Sequence, residues 1–370
     1  MSGWSLVSTT KYVPFLKAKA NEILAIGEIY KSDSLLFTKI TPFFDIPRES
    51  KDQSVKTVLN KIDVFKNKLD SNFIFKKMEF YLDNYDLDDE IDVQGIEQYE
   101  YLLSLLTGYK YIPVVGLNRS DRRNNSAYNH LLHSRNSLAL RLVSEDIESY
   151  RISKMRLEKF FTKIQSLNIK EIHLIIDLRF ISPNSETMHI DNLTIFLSNI
   201  NKEFHFDKII ISGSSIPANV SELIETYTSK SFVRAEWKIW ENLLNEKGIT
   251  NITYADYGIV SPDYSDIELD PKLFRKISTP KVFYTYKNNC FCVRGGSFQN
   301  DPLGNGQYFQ IATIIHDQKF FRHVNFSYGE KYVYDRSSYS LAKPDKAGSP
   351  SSWLKAMLTT HISFVLNSLP

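Results

Sequence analysis

Cysteine is nearly absent from this chain. The two that occur, Cys290 and Cys292, lie one residue apart in a strand-like segment, so their side chains share a face. Two such thiols make no disulfide framework and cannot by themselves complete a zinc site, which leaves them as reduced core thiols. Long apolar runs are also missing. None approaches the roughly 18 residues of a membrane span, and the first 30 residues lack the apolar centre of a signal peptide. The expectation is a cytoplasmic protein with no membrane partner. Charge of one sign is missing too: the formal net charge is +2, so a nucleic-acid role has to rest on a local patch. No glycine-rich turn follows the first strand, and there is no G-x-S-x-G elbow, Walker motif or kinase signature. "HLLH" (130–133) has no third ligand and does not read as a zinc helix.

What the sequence does contain is a recurring alternation. Aromatic residues make up 13% and hydrophobic residues 42% of the 370 positions, enough for a sizeable core. Strand-like segments fall at 12–16, 40–46, 77–83, 111–117, 137–143, 171–177, 208–214 and 252–258. Between them run stretches such as "VKTVLNKIDVFKNKL" and "AEWKIWENLLNEKG", with apolar residues at helical spacing. Eight strands alternating with helices predict an α/β fold, a TIM-barrel-like (β/α)8 barrel, ahead of an open doubly wound sheet. After the eighth strand only the short segment "PKLFRKI" (271–277) follows. Then "KVFYTYKNNCFCVRG" reads as a hairpin turning at Asn288-Asn289, "GQYFQIATIIHDQKFF" as a helix, and "HVNFSYGEKYVYDRS" as a second, irregular hairpin. The expected organisation is barrel strands in 1–278, an insertion or lid over the mouth in 279–345, and a terminal helix in 346–370 that completes the barrel. The competing arrangement is a separate C-terminal subdomain.

The segment "KEIHLIIDLRF" (170–180) raises the functional question, because an apolar strand ends there in an acid and a base, Asp177 and Arg179. Other strand ends do the same. Lys17 and Lys19 close the first strand, Asp45 the second and Asp83 the third, with Asn118 and Arg119 after the fourth. Arg141 lies in the fifth, Ser212 and Ser214 close the seventh, and Asp256 and Tyr257 the eighth. In such a barrel these ends build one functional face. Asp177, Arg179 and Asp256 are the candidate catalytic residues. Lys17, Lys19, Arg141, Ser212, Ser214, Tyr257 and Arg294 are candidate ligand-binding residues, with the serine-rich turn placed to hold phosphate. Asp45 and Asp83 are candidate ligands for Mg²⁺ or Mn²⁺, whose hard oxygen preference suits aspartate. The alternative is that acids and bases neutralise each other in a polar cap, since buried charges persist only when paired. The acidic stretch at 82–92 reads as a solvated loop.

The opening "YVPFLKAKANEILAIGEI … ITPFFDIP" resembles the beta family proteins of bacteria and prophages, as do "FYLD", "YADYGI", "YTYKNNCFCVRGG" and the ending "SSWLKAMLTTHISFV". No family motif can be placed between the fifth and sixth strands. The resemblance implies a bacterial cytoplasmic protein active in phage–host conflict or antiviral defence, and it carries no defined reaction. It picks out Lys17, Lys19, Glu22, Asp45, Asp83, Asp256, Tyr257 and Arg294, with Trp353 and His361 packing the terminal helix. Three functions follow. The first is a mouth that binds a phosphate-bearing ligand, a nucleotide or nucleic-acid end, with or without a divalent ion. The second is a non-enzymatic protein that recognises a protein partner such as a phage component, through an exposed aromatic patch at 320–334. The third, nucleic-acid binding through "NRSDRRNN" (118–125), is the least favoured.

Overall fold

Apolar strands whose side chains are buried on both faces need helices outside and a packed axis inside. The computed structural model has that arrangement, and it describes residues 10–134, 136–265, 276–342 and 344–370. Its strands are β1 (Tyr12–Lys17), β2 (Phe43–Asp45), β3 (Glu79–Asp83), β4 (Asp92–Val93), β5 (Ile96–Glu97), β6 (Lys110–Gly116) and β7 (Ser137–Val143). They continue as β8 (Glu171–Phe180), β9 (Lys208–Ser214), β10 (Thr228–Val233), β11 (Ile252–Asp256), β12 (Lys281–Tyr286) and β13 (Asn289–Arg294). Eight of them, β1, β2, β3, β6, β7, β8, β9 and β11, form a closed barrel. Every pairing around it is parallel, including the β1–β11 and β1–β2 pairs that shut it. The protein is therefore an α/β barrel of the (β/α)8 type, and each of the eight segments at 12–258 named above supplies one strand.

Period-two alternation sends Val13, Phe15, Phe43, Tyr81, Ile112, Val114, Ala139, Ile175, Ile210, Ala255 and Tyr257 to the axis, where they form one buried cluster. Phe15 and Phe43 stack there with centroids 4.0 Å apart. The opposite strand faces join the helices in a second, larger core. Helix ends follow local chemistry. Ser54 and Ser349 each make a capping box for the helices Val55–Asp70 and Pro350–Ser368. After helix Ala235–Asn245 the chain turns at Gly248 with φ +68°, and the Ile249 amide reaches back to the Leu243 carbonyl at 3.0 Å.

Beyond the barrel the predicted hairpin forms, but its two-residue turn is Lys287-Asn288, one residue earlier than expected. Tyr286 pairs with Asn289, and Lys287 takes φ 45°. A third strand, β10, joins it from the connection after β9, in the order β10-β13-β12. The second hairpin expected at 323–337 is instead a helix, Tyr328–Arg336, started by Ser327. Aromatic density suggested strand there, but Gly329 is the contact residue of a helix crossing: a Cβ on it would lie 1.8 Å from Thr360 Oγ1 and 2.3 Å from the Ala356 carbonyl. The terminal helix Pro350–Ser368 packs beside that helix, beside Ala20–Ser32, and against β1 and β12. Most of the segment 271–277 lies outside the described residues. Among the described residues no helix is long and apolar enough to cross a membrane.

Because neither Thr360 nor the Ala356 backbone can retreat far, Gly329→Ala is expected to destabilise the fold by about 2 kcal/mol, the cost of overpacking a buried contact. A lower midpoint in chemical denaturation with unchanged slope would show it, and an unaltered midpoint would contradict the close approach.

Candidate functional site

One step beyond the apolar layer, the next inward position of each strand is polar. Lys17, Asp45, Asp83, Arg141, Asp177 and Tyr257 meet at the C-terminal end of the barrel. Arg141 on β7 is the centre, with its side chain fully buried. Its Nη1 lies 2.7 Å from Asp83 Oδ2 and 3.3 Å from Asp45 Oδ2. Its Nη2 donates to Asp177 Oδ2 at 2.5 Å and to Tyr257 Oη at 3.1 Å. The Tyr257 hydroxyl in turn donates to Asp177 at 2.6 Å. The guanidinium is held between two rings, Phe43 at 5.3 Å and Tyr85 at 4.3 Å.

A second tier closes over this centre. Arg119 grips Asp83 with both terminal nitrogens, at 2.5 and 2.7 Å. Burial alone would raise the Asp83 carboxyl, but Arg119 and Arg141 hold it down at about 2. Asp45 lacks such a grip. Burial, with Asp86 nearby, pushes its carboxyl up to about 6 against the pull of Arg141 and Lys17. Lys17 reaches Asp86 at 2.5 Å, and Tyr264 donates to the same oxygen at 3.0 Å. Arg179, at the end of β8, places Nη2 2.8 Å from Asp263 and donates its amide to Asp177 Oδ1 at 3.0 Å. It adopts φ 52°, a left-handed conformation that a non-glycine residue holds only when its surroundings enforce it. The four bases Lys17, Arg119, Arg141 and Arg179 thus face the four acids Asp45, Asp83, Asp86 and Asp177.

Residues 84–89, expected as solvated loop, fold over the mouth instead: Asn84 is fully buried and Leu87 nearly so. This segment separates two cavities. One, of about 400 Å³, is lined by Arg48, Gln53, Asp86, Arg179, Asp263 and Tyr264. The other, of about 330 Å³, is lined by Tyr85, Leu87, Asp89, Arg119, Arg123, Arg141 and neighbours. The Tyr85 ring stands between them, 5.0 Å from the Arg179 guanidinium and 5.8 Å from that of Arg119.

The expected metal ligands do not fit a divalent cation. Both oxygens of Asp83 are taken by guanidinium groups, and Asp45 accepts from the Tyr85 amide at 3.1 Å and faces Arg141. Among the described residues no three His, Cys, Asp or Glu side chains are grouped to hold a metal.

Several expected residues lie away from the mouth. Asp256 is the residue before Tyr257 and therefore points outward. There it accepts from Tyr12 and Tyr254 hydroxyls at 2.5 and 2.7 Å, Arg234 at 3.0 Å and the Gly258 amide at 2.8 Å, with His361 Nε2 at 3.0 Å. Burial opposes its charge, but His361 and Arg234 hold its carboxyl well below the usual range. His361 Nδ1 also meets Thr285 Oγ1 at 2.7 Å. This acid–imidazole–hydroxyl line has the order of a nucleophile relay, yet Thr285 is 1% exposed and lines neither cavity. The line ties the terminal helix to β11 and β12. Arg294 binds Thr279 Oγ1 and the Ile224 carbonyl within the small sheet. Ser214 donates to the Val260 carbonyl. The serine-rich turn after β9, where a phosphate was expected, is engaged within the protein: Ser215 Oγ accepts from the Ala235 amide at 2.6 Å and donates to Glu236. Ser212 is inward and buried, its hydroxyl without a partner among the described residues. Lys19 is exposed before helix Ala20–Ser32. Glu22 in that helix is buried beside it, its carboxyl pushed up to about 8 by burial.

Several participants were not expected from the sequence, among them Asp86, Tyr85, Tyr264, Arg48 and Asp263. Asp86 was hidden in an acidic stretch, where Leu82, Tyr85 and Leu87 were the signal against full solvation. The basic run 118–125 is no surface patch. Arg119 and Arg123 turn inward, and Arg122 pairs with Asp92. Nor do residues 320–334 form an exposed aromatic patch, since Phe320 stacks on Tyr286 with centroids 3.7 Å apart and Tyr332 packs on Trp353. His130 meets Glu100 at 2.7 Å.

The family model described as Beta protein matches residues 12–367. The chain belongs to the Beta protein family. The match runs from the first barrel strand to the terminal helix, so barrel, small sheet and closing helix are all parts of the family's unit. No curated protein matches the chain.

Two outcomes follow from these pairings in this Beta protein family member. Arg141→Met removes the charge shared by three buried aspartates and is expected to cost about 3–5 kcal/mol, as breaking buried pairs does. Loss of less than half of that in denaturant titration would show that the acids find other partners. Asp45 has a folded-state value raised from 3.8 to about 6, so its ionisation weakens the fold as pH rises through that window. Asp45→Asn is therefore expected to melt above the wild type near about pH 8 and to keep only about a third of that advantage near about pH 4.5. Melting curves differing by the same amount at both pH values would exclude this origin.

Proposed function

We propose that the barrel mouth binds a phosphate-bearing ligand, a nucleotide or a nucleic-acid end, in the cavity walled by Arg179, Arg48 and Tyr264. The observation that carries this reading is Arg179. Its Nε and Nη2 are pinned on Asp263, its backbone is held at φ 52°, and its Nη1 is buried with no hydrogen-bond partner among the described residues. A buried donor without an acceptor costs about 1–3 kcal/mol, and strained backbone concentrates where a ligand is engaged. An oxyanion in the cavity supplies the missing acceptor. Arg48, whose guanidinium lies 4.6 Å from the Tyr264 ring, brings a second positive charge to the same wall. No divalent ion enters the proposal, because the mouth's carboxylates are already committed to bases. The setting we assign is the one the family resemblance implies, phage–host conflict in a bacterial cytoplasm.

The near-complete pairing of acids and bases favours a second reading, in which the mouth is a closed polar cap and the protein recognises a protein partner through its small sheet and following helices. The aromatics of 320–334 weigh against that reading, since Tyr332 is buried against Trp353 and the others are half-buried, Phe320 stacked on Tyr286.

A thermal-shift titration with inorganic phosphate and with mononucleotides separates the two. At a hundredfold excess over Kd a ligand specific to the folded form adds about 2.7 kcal/mol of stability. The wild type is expected to show the corresponding rise in Tm, and Arg179→Gln to show none while melting near the wild type without ligand. A wild type indifferent to every phosphate compound would leave the cap.

A further inference from the structure

We infer that the second cavity is a second phosphoryl subsite, so that the mouth takes a ligand with two phosphate-type groups, one on each side of Tyr85. The inference rests on the reading of the first cavity given above and extends it. Three arginines, Arg119, Arg123 and Arg141, converge on this cavity of about 330 Å³. Arg123, on helix Asp121–Asn129, is 4% exposed. Its Nη2 donates to the Leu87 carbonyl at 2.6 Å and the guanidinium pairs with Asp89, but its Nε is buried with no partner among the described residues. It repeats the situation of Arg179: a cavity-lining residue whose guanidinium is fixed by a neighbouring aspartate and keeps one buried donor without an acceptor among the described residues. The other acid in the wall, Asp146, is occupied by Asn118 Nδ2 at 2.8 Å and the Val143 amide at 3.0 Å.

Gly116, the inward residue of β6 at this level, lines the cavity and makes room for Arg119 beside it. A Cβ there would lie 2.9 Å from Arg119 Nε, so any side chain would push the arginine out of the position in which it grips Asp83. The two cavities draw on neighbouring residues of one segment. Consecutive residues Tyr85 and Asp86 line the second and the first respectively, so a ligand that straddles the Tyr85 ring presents one anionic group to Arg179 and the other to Arg123. Guanidinium groups suit this task because their planar donors match phosphoryl oxygens in pairs. The ligand class is a compound carrying two phosphoryl groups separated by a spacer that packs on Tyr85.

Isothermal titration of the intact protein with inorganic phosphate counts the sites. Two equivalents are expected for the wild type, and one for each of Arg123→Gln and Arg179→Gln, with melting temperature as the check on folding. Should Arg123→Gln fail to fold, Arg123→Lys keeps the charge but not the planar donor pair and is expected to weaken one equivalent while leaving the other unchanged. A single wild-type equivalent that Arg179→Gln abolishes and Arg123→Gln leaves intact overturns the second subsite and spares the first reading. An unaltered count of two in both Arg123 variants overturns it as well. Absence of phosphate binding in the wild type removes both.

Discussion

A guanidinium on the axis of a closed barrel, out of contact with water, organises this molecule. Arg141 cannot stand there alone, because moving a charge from water into the interior costs several kcal/mol unless partners replace the lost hydration. Its partners come from different strands: Asp83 from β3, Asp45 from β2 and Asp177 from β8, with Tyr257 following β11. The same bonds that make the charge tolerable fix the relative positions of those strand ends. They also decide what is left over, since Asp45 is the acid with the weakest hold and the one whose carboxyl is raised.

Asp256 and Tyr257 are neighbours in sequence and belong to two separate networks. Tyr257 points to the axis and joins Arg141. Asp256 points outward and binds Arg234, His361, Tyr12 and Tyr254. A strand end with an inward and an outward hydrogen-bonding hub couples the mouth to the outer layer, so the terminal helix and the mouth are braced through two consecutive residues. The small sheet is drawn into the same brace through Thr285, which meets His361. Two free thiols in this sheet, Cys290 and Cys292, are buried, and burial pushes both upward, which suits a packing role.

The mouth is almost, but not wholly, self-satisfied. Most of its donors and acceptors find each other, which explains how so many charges persist at low exposure. The exceptions among the described residues include one donor each of Arg179 and Arg123, which line the two cavities, with the Asn84 side-chain amide, Asp89 Oδ1 and the Ser212 hydroxyl. A polar cap built only for stability would have no reason to hold a strained backbone at Arg179 and leave its guanidinium short of an acceptor. That asymmetry, and not the number of charges, is the basis for the binding role we propose.

The barrel was legible in the sequence because strand and helix periods are local properties: "EIHLIID" and "VKTVLNKIDVFKNKL" each carry their own pattern, and eight alternations leave few closed arrangements. The convergence of Asp45, Asp83, Arg141 and Asp177 was legible as well, since strand ends of a barrel share one rim. What sequence could not settle was direction and distance. Whether Asp256 faced the axis or the helices depended on a one-residue phase, which reverses the face of every side chain along a strand. The turn at Lys287-Asn288 and the helix Tyr328–Arg336 were decided by packing, the latter by a glycine that lets two helices touch. The fold-back of residues 84–89 was decided by Asp45, whose carboxylate takes the Tyr85 amide, and by Lys17, which draws Asp86 inward. The sequence by itself determined which elements form and which charges reach the rim. Tertiary structure alone decided which of those charges are cancelled, because electrostatic pairing depends on a few ångströms that no spacing along the chain encodes.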